Sequence, residues 1–212
     1  MSTRKERIRV ASQKRRSEAR ESTRQLILDA AEELFVERGY ADLSLREVAE
    51  RIGYSPAAIY RYFEHKDHLV ATLNEEGFAR FTAALQAAFD AHDDPVERLE
   101  GLHRTYLRFA AENPVHYRLM FMERLDFLER DSKDFENDPP EALMILYRAV
   151  GEAMERGMVE GPSVREVGDA LWAAVHGAAA LTTCLESLPE EWKHSVGEGV
   201  LDLVMRGLGV DR

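Results

Sequence analysis

Residues 44–63 read SLREVAERIGYSPAAIYRYF and contain the start signals of two helices. Ser44 followed by Glu47 forms a capping box, because the hydroxyl and the carboxylate can each satisfy a free N–H at a helix start. Apolar residues then recur at helical spacing as far as Ile52, and Gly53 ends the pattern. We expect a short helix here, followed by a sharp turn.

A second short helix follows the turn at Gly53 and Tyr54. Ser55 is placed to cap it, and Pro56 stands at its first position, where a missing N–H costs nothing. We expect this helix to run to about Tyr62 and to project outward, while the first helix buries its apolar side. In DNA-binding proteins with such a helix-turn-helix, the second helix lies in the major groove with its N-terminal residues nearest the bases.

Helical periodicity continues on both sides of this motif. Upstream, Ile27, Ala31 and Leu34 share one apolar stripe of a helix that we expect to begin near Thr23 and to end at Gly39. A short helical piece is expected after the Asn-Pro pair that precedes VHYRLMF. No segment alternates as a strand would, so the sequence predicts an all-α fold of about nine helices. The longer downstream helices are expected over about 67–91, 96–112, 141–156, 163–187 and 189–208.

The composition excludes several classes of protein. The 212 residues are 45% hydrophobic and 32% charged, which suits one large globular domain or two small ones. No apolar run reaches the roughly 18 residues of a membrane span, and the basic N-terminus lacks the apolar segment of a secretory signal. The single cysteine, Cys184, permits no internal disulfide. We therefore expect a cytoplasmic protein with a buried structural thiol.

Charge is distributed unevenly along the chain. The net charge is −11, yet residues 1–24 carry nine Lys or Arg against three Glu. Such asymmetry indicates either a basic arm that meets nucleic acid or a solvated tail. We predict a flexible basic arm over 1–22, whose arginines would contact phosphates or the minor groove.

Several motifs, in their order and spacing, resemble the DNA-binding module of the TetR (tetracycline-repressor-like) family. They are AAEELFVERGY at 30–40, VAERIG at 48–53 and IYRYF at 59–63, followed by Lys-x-x-Leu. The resemblance covers residues 23–73. It implies a homodimeric transcriptional regulator, most often a ligand-responsive repressor, with one helix-turn-helix per subunit on a near-palindromic operator of double-stranded DNA.

The resemblance also implies DNA contacts, position by position. Tyr60, Tyr62 and Lys66 match phosphate-contacting positions. Arg46 and Arg61 are placed to reach a phosphate or a base. Outside the family pattern, the tyrosines would merely cover a small core and the arginines would be solvated. The predicted DNA-contacting residues are Ser44, Arg46, Tyr54, Ser55, Pro56, Ala57, Tyr60, Arg61, Tyr62 and Lys66.

Two features qualify this assignment. Ile59 and Phe63 interrupt the exposed positions, and we expect both to face inward. Where the family usually places Ser, Asn or Gly before the helix at Lys66, this chain has His65, with His68 three residues on. An imidazole can cap a helix, less well, in the correct tautomer. The His spacing also occurs in metal sites, but no further ligand lies nearby, so we expect no metal.

By the same resemblance, residues 23–68 form the DNA-binding domain and residues 69–212 a ligand-binding and dimerisation domain. ALWAAVHGAAAL at 170–181 and NPVHYRLMF at 113–121 are similar to a C-terminal subgroup with a Trp/His/Gly signature. The resemblance also implies a homodimer through the last two helices, and the small residues around Gly177 leave a smooth surface that suits close helix packing.

Bulky residues at helical spacing are the candidates for the pocket of a largely apolar effector. Methionine and aromatic side chains make adaptable walls for such ligands, although each of these residues could equally be plain core. The predicted set is Phe78, Phe81, Tyr106, Phe109, Tyr117, Met120, Phe121, Met144, Tyr147, Trp172 and His176.

The sequence does not indicate an enzyme. His176 and Cys184 are eight residues apart, about 12 Å along one helix, which is too far for a nucleophile–base pair. No phosphate-binding glycine loop occurs, and no cofactor is expected. The competing hypothesis is a small-molecule-binding or interaction protein of the same fold without operator binding, because Pro56, Ala57 and Ala58 offer few groups that read bases.

Overall fold

A computed structural model describes residues 4–123, 125, 128, 139–185 and 187–210, without the side chains of Arg7 and Ile8. The described residues form nine α-helices and no strand, which confirms the predicted fold class. None of these helices is long and apolar enough to cross a membrane. They are α1 (Arg4–Asp42), α2 (Leu45–Arg51), α3 (Pro56–Ile59), α4 (Lys66–Asp90), α5 (Pro95–Glu112), α6 (Pro114–Phe121), α7 (Glu141–Glu155), α8 (Val164–Cys184) and α9 (Glu190–Gly207).

The chain divides into two compact units, Met1–Leu73 and Asn74–Arg212. Helix α4 begins in the first unit and ends in the second. Each unit buries large apolar side chains of its own, such as Leu28 and Phe35 in the first and Tyr117 in the second. Each therefore has the apolar core that a separate unit requires.

Helix α1 is longer than the apolar pattern predicts. It begins at Arg4 rather than near Thr23, so the described residues 4–22, predicted as a flexible arm, are helical. The Thr23 hydroxyl donates to the carbonyl of Ala19 at 2.9 Å, as it does within a helix, instead of capping. Arg, Lys, Glu and Ala favour helix even without an apolar stripe, which explains the extension. Near the other end, Gly39 has φ of +75° and interrupts the helix as predicted.

The two short helices start as the sequence predicts. The Ser44 hydroxyl accepts from the N–H of Glu47 at 3.2 Å and donates to the Glu47 carboxylate at 2.9 Å, which confirms the capping box. Ser55 caps α3 by accepting from the N–H of Ala58 at 3.3 Å. Helix α3 is shorter than predicted, because the bond from Tyr62 N–H to the third carbonyl back tightens the chain into a turn.

In the second unit, α5 packs against α7 and α8, and α8 packs against α9. A side chain-to-backbone bond joins α5 to α9, because His103 Nε2 lies 3.1 Å from the Gly197 carbonyl oxygen. Arg104 adds a two-pronged ion pair to Glu198, at 2.9 and 3.0 Å. The prediction of a buried thiol is wrong: Cys184, the last residue of α8, is exposed.

Candidate nucleic-acid interface and sensor site

Two buried side chains anchor the second helix of the motif. Ile59 is 0% exposed and Phe63 is 1% exposed, which confirms the prediction that both face inward. They share the core with Leu45 and Val48 on the buried side of α2. Because these anchors lie at the C-terminal end of α3, its N-terminal end is left at the surface.

The N-terminal end of α3 is lined by exposed small residues. Ser55, Pro56 and Ala57 are all exposed, and they lie between two exposed tyrosines. Tyr54 is 41% exposed and Tyr60 is 57% exposed. A helix end with small side chains and flanking hydroxyl groups is the geometry that enters a DNA groove and meets phosphates on either side.

The predicted arginines also lie at the surface. The side chain of Arg46 is 79% exposed, and among the described residues its ion-pair partner is Glu50 on the same helix, at 3.3 Å. Such an exposed pair is worth little, so Arg46 remains available to another anion. Arg61 is exposed in the turn after α3, beside the half-buried Tyr62.

Several of the predicted DNA-contacting residues already have partners within the chain, and besides Ser55 in the α3 cap these include Ser44 and Lys66. Ser44 uses its hydroxyl in the α2 cap. The Lys66 ammonium donates to the carbonyls of Tyr40 and Ala41, at 3.0 and 3.4 Å, and lies 4.1 Å from the centre of the Tyr40 ring. A cation at carbonyls near the end of a helix is favourable. The sequence signal for this contact, a helix stop followed by a distant Lys, was too weak to predict it.

A hydrogen bond from the hydroxyl group of Tyr40 holds its ring beside Lys66. Its hydroxyl donates to the Asp67 carboxylate at 2.5 Å. Burial, together with the bond to Asp67, raises the pKa of Tyr40 to about 12. Tyr40 therefore stays neutral, and the end of α1 is joined to the start of α4.

Two histidines cap α4. The N–H of His68 donates to Nδ1 of His65 at 3.0 Å, and the N–H of Glu64 donates to Nδ1 of His68 at 3.3 Å. Both bonds need an unprotonated Nδ1, so each ring carries its proton on Nε2. The pair acts as a capping box in which imidazole replaces the usual hydroxyl and carboxylate.

A cleft that the sequence did not predict lies between α1 and the turn after α3. It measures about 620 Å³ and is lined by Arg16, Ala19, Arg20, Thr23, Arg61 and Tyr62. The guanidinium carbon of Arg20 lies 5.9 Å from the centre of the Tyr62 ring. The cleft exists because residues 16–20 belong to α1, and the apolar periodicity of the sequence did not predict a helix there.

In the second unit, most of the predicted pocket residues form one cluster of rings. Phe81 contacts both Tyr106 and Phe109, with centroids 5.1 and 5.0 Å apart. Phe121 contacts Tyr117 at 5.3 Å and His176 at 5.4 Å. Phe78 joins through Phe121, Trp172 joins through His176, and the partly buried Met120 packs against the same core.

A polar centre lies inside this cluster. The hydroxyls of Tyr106 and Tyr117 lie 2.9 and 3.0 Å from Nδ1 of His176. Burial lowers the pKa of His176, so the ring is neutral. Burial also raises the pKa of Tyr106 to about 12 and that of Tyr117 further. A neutral Nδ1 offers one lone pair, so the second hydroxyl needs a different acceptor, and Tyr117 has one at 3.4 Å in the His176 carbonyl.

Two predicted pocket residues lie outside the ring cluster. Met144 is 48% exposed, because it lies on the outer side of α7, whose inner side buries Ile145 and Ala149. Tyr147 donates its hydroxyl to the Asp169 carboxylate on α8 at 2.5 Å. Met144 therefore lies on the outer side of its helix, whereas Tyr147 packs against α8 away from the ring cluster.

Two family models match the chain. Residues 27–73 match the model for bacterial regulatory proteins of the tetR family. Residues 99–184 match the tetracyclin repressor-like C-terminal domain. Together the two segments span more than half of the chain, and the second contains 113–121 and 170–181, the stretches that suggested a C-terminal subgroup.

Solved structures share this fold. A protein of unknown function from Rhodococcus sp. RHA1 is 27% identical, with a TM-score of 0.71 over 87% of this chain and 94% of that one. A TetR/AcrR regulator from Thermobifida fusca YX-ER1 is 25% identical, with a TM-score of 0.61 over 88% and 98%. FadR from Bacillus subtilis, solved with stearoyl-CoA, is 19% identical, with a TM-score of 0.71 over 86% and 98%, and its likeness concerns the fold alone.

The matched segments include both the helix-turn-helix and the ring cluster. The exposed end of α3 lies within the segment that matches the first family model. The chain therefore belongs to the TetR family and is a DNA-binding transcriptional regulator.

Proposed function

We propose that the protein is a homodimeric, ligand-responsive repressor that binds a near-palindromic operator with one α3 in each half-site. The observation that carries this proposal is the exposed N-terminal end of α3, anchored by the buried Ile59 and Phe63. We assign DNA binding to residues 23–68, and ligand binding and dimerisation to residues 69–212. Such a regulator acts where the chromosome is, in the cytoplasm.

The proposed contacts divide into two kinds. Tyr60 and Tyr62 position the domain on phosphates, which carry no sequence information. Arg46 and Tyr54 are the longer exposed side chains next to the helix end, so they are the proposed readers of base edges. Ser55, Pro56 and Ala57 let the helix approach the groove floor, and DNA shape supplies further preference. Ser44 and Lys66 contribute chiefly by holding α2 and α4 in place.

Exposed small and apolar stripes on the last two helices support a dimer interface. On α8, Ala173, Gly177 and Leu181 are exposed at four-residue steps. On α9, Trp192 and Leu203 are 39% and 72% exposed. Stripes of this kind on two packed helices suit a four-helix bundle formed with a second copy.

A single substitution tests the dimer. Leu203→Arg is expected to convert the dimer to a monomer in sedimentation, since it places an unpaired charge in the interface. Val36→Arg is the matched control, because Val36 is 63% exposed on α1. An unchanged sedimentation coefficient for Leu203→Arg would remove α9 from the interface.

The ring cluster is the proposed effector site. Its walls are apolar, and the Tyr106–Tyr117–His176 centre is neutral, so it favours a largely apolar ligand with one hydrogen-bonding group over a polyanion. Two fold neighbours were solved with ligands that have a large apolar part: FadR with stearoyl-CoA, whose acyl chain is apolar although its CoA part is anionic, and SmeT with triclosan. Effector binding would change the separation of the two α3 helices from the roughly 34 Å groove repeat and so release DNA.

The competing function is a small-molecule-binding protein of the same fold that no longer binds an operator. The lack of base-reading groups on Pro56, Ala57 and Ala58 favours it. Selection of a random duplex library by the full chain, followed by gel shifts over a salt series, separates the two. A regulator enriches a near-palindromic sequence whose binding survives competitor DNA, whereas the competing function predicts no enrichment.

A further inference from the structure

The cleft between α1 and the turn after α3 has one basic wall on each side. Arg16 and Arg20 project from α1, together with Ala19 and Thr23 on the same side of the helix. Arg61 and Tyr62 form the opposite wall. Three arginines therefore surround one opening of about 620 Å³.

The positive charge of this cleft is not neutralised within the described part of the chain. None of its three arginines forms an ion pair with a described carboxylate. The two nearest acids along α1 are used elsewhere: Glu18 pairs with Lys14 at 3.7 Å, and Glu21 pairs with Arg24 at 3.6 Å. In a chain of net charge −11, this local excess of positive charge marks a site for an anion.

The same side of α1 continues as a basic row towards its start. Lys5 and Arg9 precede Arg16 and Arg20 at steps of four and seven residues, which keep side chains on one side of a helix. From residue 5 to residue 20 the row extends about 22 Å at 1.5 Å per residue. With a rise of about 3.4 Å per nucleotide, this length matches several successive phosphates of one DNA strand.

We propose that the cleft binds the phosphodiester backbone of the DNA strand beside α3, with Arg16 and Arg20 on one side and Arg61 and Tyr62 on the other. The inference rests on the proposed operator binding and extends it. The first part of α1 then acts as a helical clamp on the backbone, not as a flexible tail that reads the minor groove. Because the clamp is already helical, it loses little conformational entropy on binding.

The test compares two double variants that remove the same charge from α1. Arg16→Gln/Arg20→Gln removes both positive charges from the α1 wall of the cleft. Lys14→Gln/Arg15→Gln removes the same charge at positions outside the cleft and is the control. The probes are the duplex enriched by the wild-type chain and a fixed duplex of unrelated sequence, each titrated over a salt series.

Because a dimer carries two clamps, the cleft variant loses four arginines, and the slope of log K against log salt should decrease in magnitude by about 3.6, or 0.9 for each phosphate that is no longer neutralised. Affinity should fall about tenfold, equally on both duplexes, because bonds to phosphate carry no sequence information. The control should change both quantities by less than half as much. Arg16→Lys/Arg20→Lys keeps the charge and should keep the wild-type slope.

Equal slopes for the cleft and control variants would overturn the clamp and leave only an effect of net charge. That result is distinct from failure of the proposed function, in which the wild-type chain enriches no duplex at all. The unrelated duplex still tests the clamp in that case. A weakening confined to the enriched duplex would also contradict the clamp and assign the arginines to base reading instead.

Discussion

The N–H of His68 lies 3.0 Å from Nδ1 of His65, and the bond between them caps the start of α4. Serine accepts the same bond without depending on a tautomer. We expect His65→Ser to preserve or raise the free energy of unfolding, and His65→Ala to lower it by about 1 kcal/mol. Urea unfolding followed by circular dichroism measures both. Equal midpoints for the two variants would show that the cap contributes nothing.

We expect Lys66 to act as a structural cation and Arg61 to act as a DNA-contacting one. Lys66→Met removes the bonds to the Tyr40 and Ala41 carbonyls and should destabilise the fold by about 1–2 kcal/mol. Arg61→Met should change stability by less than about 0.5 kcal/mol, since Arg61 is exposed. In DNA titrations the order reverses, with the larger decrease in affinity for Arg61→Met. A stable Lys66→Met that binds DNA as poorly as Arg61→Met would restore the direct phosphate contact to Lys66.

His176 makes stability depend on pH. Burial holds its pKa in the folded chain below the ordinary value of 6.5, so below that pH the unfolded chain binds more protons. Its contribution is therefore intact above 6.5 and is lost as pH falls towards the lowered pKa of the folded state.

The measurement is the melting temperature between pH ~7.5 and ~5.5. His176→Asn keeps an acceptor for the tyrosines but does not titrate, so its melting temperature should fall less steeply on acidification. His116, whose pKa burial also lowers, supplies part of the remaining slope. Parallel curves for wild type and variant would contradict the assignment.

A close approach of α7 and α8 depends on the lack of a side chain at Gly168. A Cβ there would lie 2.5 Å from Cδ1 of Tyr147, a ring held by its bond to Asp169. Gly168→Ala should destabilise the second unit by about 1–3 kcal/mol. Gly151→Ala is the matched control, since its Cβ would meet only Val164 at 3.8 Å. Thermal unfolding should show a lower midpoint for Gly168→Ala and an equal or higher one for Gly151→Ala.

The local signals in the sequence predicted the motif well. The Ser44 capping box and the stop at Gly39 were confirmed because each depends on hydrogen bonds or backbone angles within a few residues. The inward direction of Ile59 and Phe63 was confirmed because the Phe63 N–H bonds to the Ile59 carbonyl at 3.1 Å, which keeps both residues on one side of the chain beyond the end of α3.

The remaining features depend on contacts between residues that are distant in sequence, or on helix propensity in a segment that has no apolar periodicity. Residues 4–22 continue α1 although they have no apolar stripe. Lys66 finds its acceptors 25 and 26 residues upstream. Met144 and Cys184 have helical spacing, but only the packing of neighbouring helices determines which side of a helix is covered.

Specificity is expected to depend on Arg46 more than on Tyr60. Arg46→Ala removes a proposed base contact and should reduce the ratio of enriched-duplex to unrelated-duplex affinity by about tenfold. Tyr60→Phe removes a bond to phosphate and should weaken both duplexes alike. Competition titrations give the two ratios directly. The reverse order would assign base reading to other residues.

Ala57→Glu is the sharpest test of whether the exposed end of α3 binds DNA. A carboxylate in the first turn of a helix does not harm its stability, so the variant should unfold like the wild type. Its affinity for the enriched duplex, measured by fluorescence anisotropy, should fall about a hundredfold or more, because the carboxylate is repelled by phosphate. Val36→Glu, the same change of charge on an exposed position of α1, should bind almost normally. Wild-type affinity in the folded Ala57→Glu variant would contradict the account.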